Sequence, residues 1–171
     1  MKRILSLLLA PFTFLLPAVA AKEPLEIGDA APAAEALDQD GNLVSLEELY
    51  EEGDVLVYFY PRADTPGCTA QACSLRDDFE QLTDLGVTVV GVSSDSVEDQ
   101  KAFQDNHNLP FTLLADTEHK VIDAFGVPTR GTAATRQAFL IREGKIAWRD
   151  LSASTADQAA DVLKALAALD E

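Results

Sequence analysis

Cys68 and Cys73 are the chain's two cysteines, and the residues before them set out a possible chemistry: Pro61-Arg62-Ala63-Asp64-Thr65-Pro66-Gly67-Cys68. Thr65 is a residue type favoured at a helix N-cap, and Pro66 suits the first helical position, where its missing N–H costs nothing. Cys68 then takes the third helical position, the place a glutamate occupies in a capping box. Free N–H groups and the helix dipole stabilise negative charge there. The thiolate is the nucleophilic form of cysteine, so this placement favours a reactive sulfur.

Continued at 100° per residue, Ala72, Leu75, Phe79 and Leu82 fall within about 40° of Cys68. The pattern predicts one helix running through Leu82, with Cys68 at the upper end of its core-facing stripe. Cys73 lies about 140° away, with a Cα separation of ~8.6 Å on an intact helix. A disulfide tolerates at most about 7 Å, so the helix must open locally before the two sulfurs meet. A permanent staple is the alternative reading. It would close a very short loop, constrain little chain entropy and break the helix that carries it. A metal site is disfavoured, because His107 and His119 show no ligand spacing with the cysteines.

Elements must deliver Cys68 to a protected place. Val55 to Tyr60 is a continuous apolar run bounded by Asp54 and Pro61, suited to a buried central strand. Val87 to Val92 and Phe111 to Leu114 are two more such runs. Glu35 to Ser45, with Asp40-Gly41 at its turn, reads as a small hairpin. Ala138 to Ile141 and Lys145 to Trp148, joined by Glu143-Gly144, read as a terminal one. Helical patterns begin at Pro66, near Ser96 and near Ser154, the last with Val162, Leu163, Leu166 and Leu169 as its apolar stripe. Strands alternating with helices and closing on a hairpin imply an α/β fold with a mixed central sheet flanked by helices, of thioredoxin-like architecture.

The bulk composition fits a globular chain of 171 residues, 47% hydrophobic and 25% charged. Residues 1–20 read as a signal peptide: Lys2 and Arg3, an apolar run from Ile4 to Leu16, then the small residues Ala18-Val19-Ala20. The run is shorter than the ~20 residues of a membrane span. The mature chain is expected over residues 21–171 as a single domain, exported and periplasmic where the cell has an outer membrane. Loss of Lys2 and Arg3 leaves 11 basic against 29 acidic residues, a net charge of −18. Such acidity disfavours nucleic acid and stable association with anionic membranes.

Pro61, Thr65 and Cys68 match the peroxiredoxin pattern Pro-x3-Thr-x2-Cys. The longer string TPGCTAQACSLRDDF resembles the bacterioferritin comigratory protein or peroxiredoxin Q subfamily. The resemblance runs from about Pro32 to the C-terminal helix and includes VVGVSSDS, LPFTLLAD, Phe125-Gly126-Val127 and RQAFLIREGKI. It implies a thiol-dependent peroxidase acting on hydrogen peroxide and organic hydroperoxides. Cys68 would be the peroxidatic thiolate and Cys73 the resolving cysteine. Thr65 would hold the thiolate and the peroxide oxygen, Pro61 would shield the sulfur, and Arg136 would stabilise the thiolate and polarise the peroxide.

In the implied cycle, Cys68 becomes a sulfenic acid, Cys73 condenses with it to an intramolecular disulfide, and an external dithiol restores both thiols. The dithiol would be thioredoxin or an exported thioredoxin-like protein. No metal or organic cofactor is needed. An internal resolving cysteine leaves no need for a second subunit, so a monomer is expected.

Two rival readings share the fold. A thioredoxin-fold protein disulfide oxidoreductase would want cysteines three apart and a proline where Thr135-Arg136 precede the strand. A copper-delivery protein would want cysteines four apart and a well-placed histidine.

Overall fold

The computed structural model describes residues 23–171, so the expected signal peptide, with its cleavage point, lies outside the described residues. The frame is a seven-stranded mixed sheet in the order β2-β1-β5-β4-β3-β8-β9. Within it, β3 (Asp54–Phe59) lies parallel to β4 (Val87–Ser93), the middle strand, and antiparallel to β8 (Gln137–Arg142). Strand β5 (Thr112–Ala115) lies parallel to β4, and β9 (Lys145–Asp150) folds back antiparallel on β8. The hairpin of β1 (Glu35–Asp38) and β2 (Leu43–Ser45) closes the other edge by pairing antiparallel with β5. In its turn, Asp38 Oδ1 accepts the Asp40 and Asn42 N–H groups, each at 2.8 Å.

Strand β3 is apolar on both sides because helices cover both faces. Its side chains alternate between two cores. Leu56 and Tyr58, with Tyr60 beyond the strand, face a cluster holding Cys68, Leu75, Phe103 and Val162. Val55, Val57 and Phe59 face the opposite cluster with Leu46, Ile122 and Phe125. The first cluster is covered by α2 (Pro66–Asp77), α3 (Phe79–Asp84), α4 (Val97–His107) and α6 (Gln158–Leu169). The second is covered by α1 (Leu46–Glu52) and α5 (Lys120–Ala124). Between α5 and β8 lies a small hairpin of β6 (Thr129–Arg130) and β7 (Ala133–Ala134).

Several elements differ from the sequence expectation. The helix after Pro66 does not run through Leu82: it stops at Asp77, and α3 starts afresh at Phe79. Asp78 between them leaves helical geometry (φ −104°, ψ 15°), as suits a residue type that prefers caps to helix interiors. The change of direction still buries Leu82. The last helix begins at Gln158, and Leu169 of its expected stripe is 40% exposed, while Ala159 and Ala165 pack inward. Helices α1 and α5 were not among the expected elements. Both are short, and only a few apolar residues in each reach the core.

Candidate active site

The centre of the site is the first turn of α2, fed by the loop from Pro61 to Thr65 at the end of β3. Pro66 opens the helix and Cys68 takes its third position, only 2% exposed. Thr65 stands at the N-cap, but its side chain makes no capping bond. Its hydroxyl instead donates to the Arg62 carbonyl oxygen at 3.0 Å, which corrects the expected capping role.

Two clasps fix the loop. Asp95 Oδ2 accepts the Ala63 N–H and the Ser93 hydroxyl, both at 2.7 Å. On the other side, Asp64 sits in the left-handed region (φ 56°) with its carboxylate against His107 Nε2 at 2.7 Å and Asn106 Nδ2 at 3.2 Å. The His107 bond is the main reason the Asp64 carboxyl lies below its ordinary value of 3.8, with slight burial opposing and Asn106 assisting.

Arg136 reaches the same point from the position just before β8. Its Nη2 donates to Cys68 Sγ at 3.3 Å, and its Nη1 donates to Gln71 Oε1 in a short contact. Glycine at position 67 leaves room for this approach, since a Cβ there would meet Arg136 Nη2 at a tight 3.3 Å and Thr155 Cγ2 at 3.5 Å. Pro61, Ala134, Thr135 and Arg136 line a pocket of about 460 Å³ that continues past Arg130 toward Leu151 and Ala153. The pocket therefore opens onto the same guanidinium that contacts the sulfur. Below, Tyr58 and Tyr60 stack with ring centroids 5.5 Å apart. Burial is the first cause that pushes the Tyr58 phenol well above its usual range.

Cys68, Pro61 and Arg136 therefore converge, while Thr65 borders the site with its hydroxyl turned onto Arg62. Cys73 lies on the same helix, half-buried, and both sulfurs are free thiols. With α2 intact across both positions, helix geometry keeps their Cα atoms ~8.6 Å apart. Gln71 escaped the sequence reading. The available signal was a polar residue three positions after Cys68, close to the core-facing stripe of an otherwise apolar helix face. Among the described residues, no three His, Cys, Asp or Glu side chains gather closely enough to hold a metal ion. None of the described helices is long and apolar enough to cross a membrane.

A buried cysteine with a donor-only cation against its sulfur and a small open pocket beside that cation suits nucleophilic attack on a small, polarisable bond. The chain matches the AhpC/TSA family over residues 27–149. It is 49% identical over 104 residues to peroxiredoxin Bcp of Escherichia coli (strain K12), a match covering 61% of this chain and 66% of that one. It is 44% identical over 116 residues to the chloroplastic peroxiredoxin Q of Oryza sativa subsp. japonica, covering 67% and 53%. These matches span less than two thirds of either relative's own length. The crystal structure of peroxidoxin BcpB from Mycobacterium tuberculosis superposes with a TM-score of 0.79 at 32% identity, over 84% of this chain and 97% of that one.

Proposed function

The chain belongs to the AhpC/TSA family, alongside peroxiredoxins of the Bcp and Q type, and from that premise we propose that it is a thiol-dependent peroxidase with Cys68 as the attacking residue. The observation that carries the reading is the 3.3 Å approach of Arg136 Nη2 to Cys68 Sγ beside an open pocket. The relatives favour neither a protein disulfide oxidoreductase nor a copper-delivery protein.

In the first step the Cys68 thiolate forms an S–O bond with the nearer peroxide oxygen as the O–O bond breaks. The sulfur is oxidised to a sulfenic acid, and the far oxygen takes a proton and leaves as water or an alcohol. Arg136 and the N–H groups of the first turn of α2 hold the charge that moves from sulfur to oxygen. Pro61 covers the sulfur from water. Thr65 aids the peroxide oxygen once its hydroxyl turns from Arg62.

Next, α2 opens locally and the Cys73 thiol attacks the sulfenic sulfur, forming an S–S bond and releasing water. An external dithiol, thioredoxin or an exported thioredoxin-like protein, supplies two electrons and returns both thiols. We place hydrogen peroxide and organic hydroperoxides in the pocket, with the chain acting as a monomer and no metal or organic cofactor. Residues 1–20 are removed on export to the periplasm, leaving residues 21–171 as one domain. N-terminal sequencing of the protein from a periplasmic fraction tests that part.

Turnover tests the activity. Mature protein should consume hydrogen peroxide and cumene hydroperoxide at the expense of a dithiol, and Cys68→Ser should abolish it. Peroxide consumption by Cys68→Ser equal to wild type would refute the assignment.

A further inference from the structure

Gln71 on α2 and Gln158 at the start of α6 are both wholly buried. An arginine carries donors only. The Gln71 atom that meets Arg136 Nη1 must therefore be its Oε1, and Gln71 Nε2 is left to donate onward. That donor reaches Gln158 at 2.8 Å, so Gln158 must present its own Oε1. The cation at one end thus fixes both amides in a single direction. The remaining amide group of Gln158 is buried with no hydrogen-bond partner among the described residues. Buried polar groups without partners are rare and call for a reason. A leucine or methionine would fill the position without that unmet donor, but only an acceptor at 158 can hold Gln71. The Ala159 N–H donates to Ser74 Oγ at 3.1 Å, so the same end of α6 is seated directly on α2.

We propose that Gln158 is a positioning residue for Cys68, acting from the C-terminal helix through Gln71 on Arg136. Gln158 holds the Gln71 amide, Gln71 holds Nη1, and the planar guanidinium is left with Nη2 on the sulfur. Docking of α6 is thereby coupled to the reactivity of a cysteine 90 residues earlier in the chain. The inference rests on the reading of Cys68 as the attacking thiolate.

The test uses mature protein carrying Cys73→Ser, so that Cys68 is the single thiol. Rates with hydrogen peroxide and with iodoacetamide are measured for Gln158→Met, Gln71→Met and the double variant, beside thermal midpoints. Gln158→Met is expected to slow both reactions about tenfold, the scale of a disturbed hydrogen bond to a charged group. Its midpoint should move by less than about 3 °C, since one buried unpaired donor replaces another. In the Gln71→Met background the same substitution should change either rate by less than about twofold, because the effect passes through Gln71. Gln158→Glu keeps an acceptor for Gln71 and is expected within about threefold of the parent.

Parent-like rates in Gln158→Met, equal slowing in both backgrounds, or a Gln158→Glu protein as slow as Gln158→Met would each overturn the proposal. A parent protein inert to peroxide would refute the peroxidase reading separately, and the iodoacetamide series would still decide the role of Gln158.

Discussion

Arg136 Nη2 stands 3.3 Å from Cys68 Sγ, joining the position just before β8 to the first turn of α2 across 68 residues of chain. On the proposed peroxidase reading, the contact places a cation where the thiolate would form and where the leaving oxygen would gather charge. Replacing Arg136 with methionine is expected to lower the rate of Cys68 oxidation by about 10² or more, the scale of losing one preorganised donor. Arg136→Lys should recover little of it, because a point ammonium lacks the planar fork that aims one nitrogen at Gln71 and the other at the sulfur. Stopped-flow measurement with hydrogen peroxide checks both, and a lysine variant as fast as wild type would contradict the geometry.

Gly67→Ala pushes a methyl group toward the same guanidinium, at 3.3 Å from Nη2. The arginine must shift by a few tenths of an ångström, and small misplacements of catalytic groups carry large costs. The same peroxide assay is expected to show a loss of about three- to tenfold with the fold intact by circular dichroism.

The start of the helix that carries Cys68 was legible because Thr65, Pro66 and Cys68 are local signals, all within four residues. The central strand was legible because β3 is buried on both faces and so reads as an unbroken apolar run. Arg136 had no local signal. It became a candidate only through family resemblance, since nothing near it in sequence says that β8 will lie beside β3. Gln71 and Gln158 were illegible for the same reason: their roles depend on α6 crossing to α2. The break at Asp78 was missed because no glycine or proline marks it, and the apolar spacing continues across it.

Gly91 lies opposite Tyr58 in the β3–β4 ladder, and a Cβ there would come within 2.7 Å of the Tyr58 hydroxyl oxygen and 2.8 Å of Leu113 Cδ2. Neither neighbour can move freely, because both are wholly buried. Gly91→Ala should therefore destabilise the fold by about 1–3 kcal/mol through overpacking. Urea denaturation measures it, and an unchanged midpoint would show that this part of the sheet has room to spare.

The Asp64–His107 clasp predicts a pH effect of known sign. The hydrogen bond from His107 is the main cause holding the Asp64 carboxyl below 3.8 in the folded protein. A depressed carboxyl adds stability above its unfolded value, and that stability is lost as pH falls through the folded one. The stability gap between wild type and Asp64→Asn should be present at about pH 5 and should close as the pH falls below about 4. Urea midpoints at pH 3 to 5 check it; a gap constant to pH 3 would assign the clasp no role.

The central claim is that Cys68 attacks and Cys73 resolves, and its most direct measurement is thiol loss after one equivalent of hydrogen peroxide. Reduced mature protein is compared with Cys68→Ser and Cys73→Ser, with a sulfenic acid trap and mass spectrometry in parallel. Wild type is expected to lose both thiols far faster than a free cysteine and to form the Cys68–Cys73 disulfide. Cys68→Ser should be inert, and Cys73→Ser should stop at a trapped sulfenic acid on Cys68. Equally slow loss in all three proteins, or a sulfenic acid trapped on Cys73, would contradict the account.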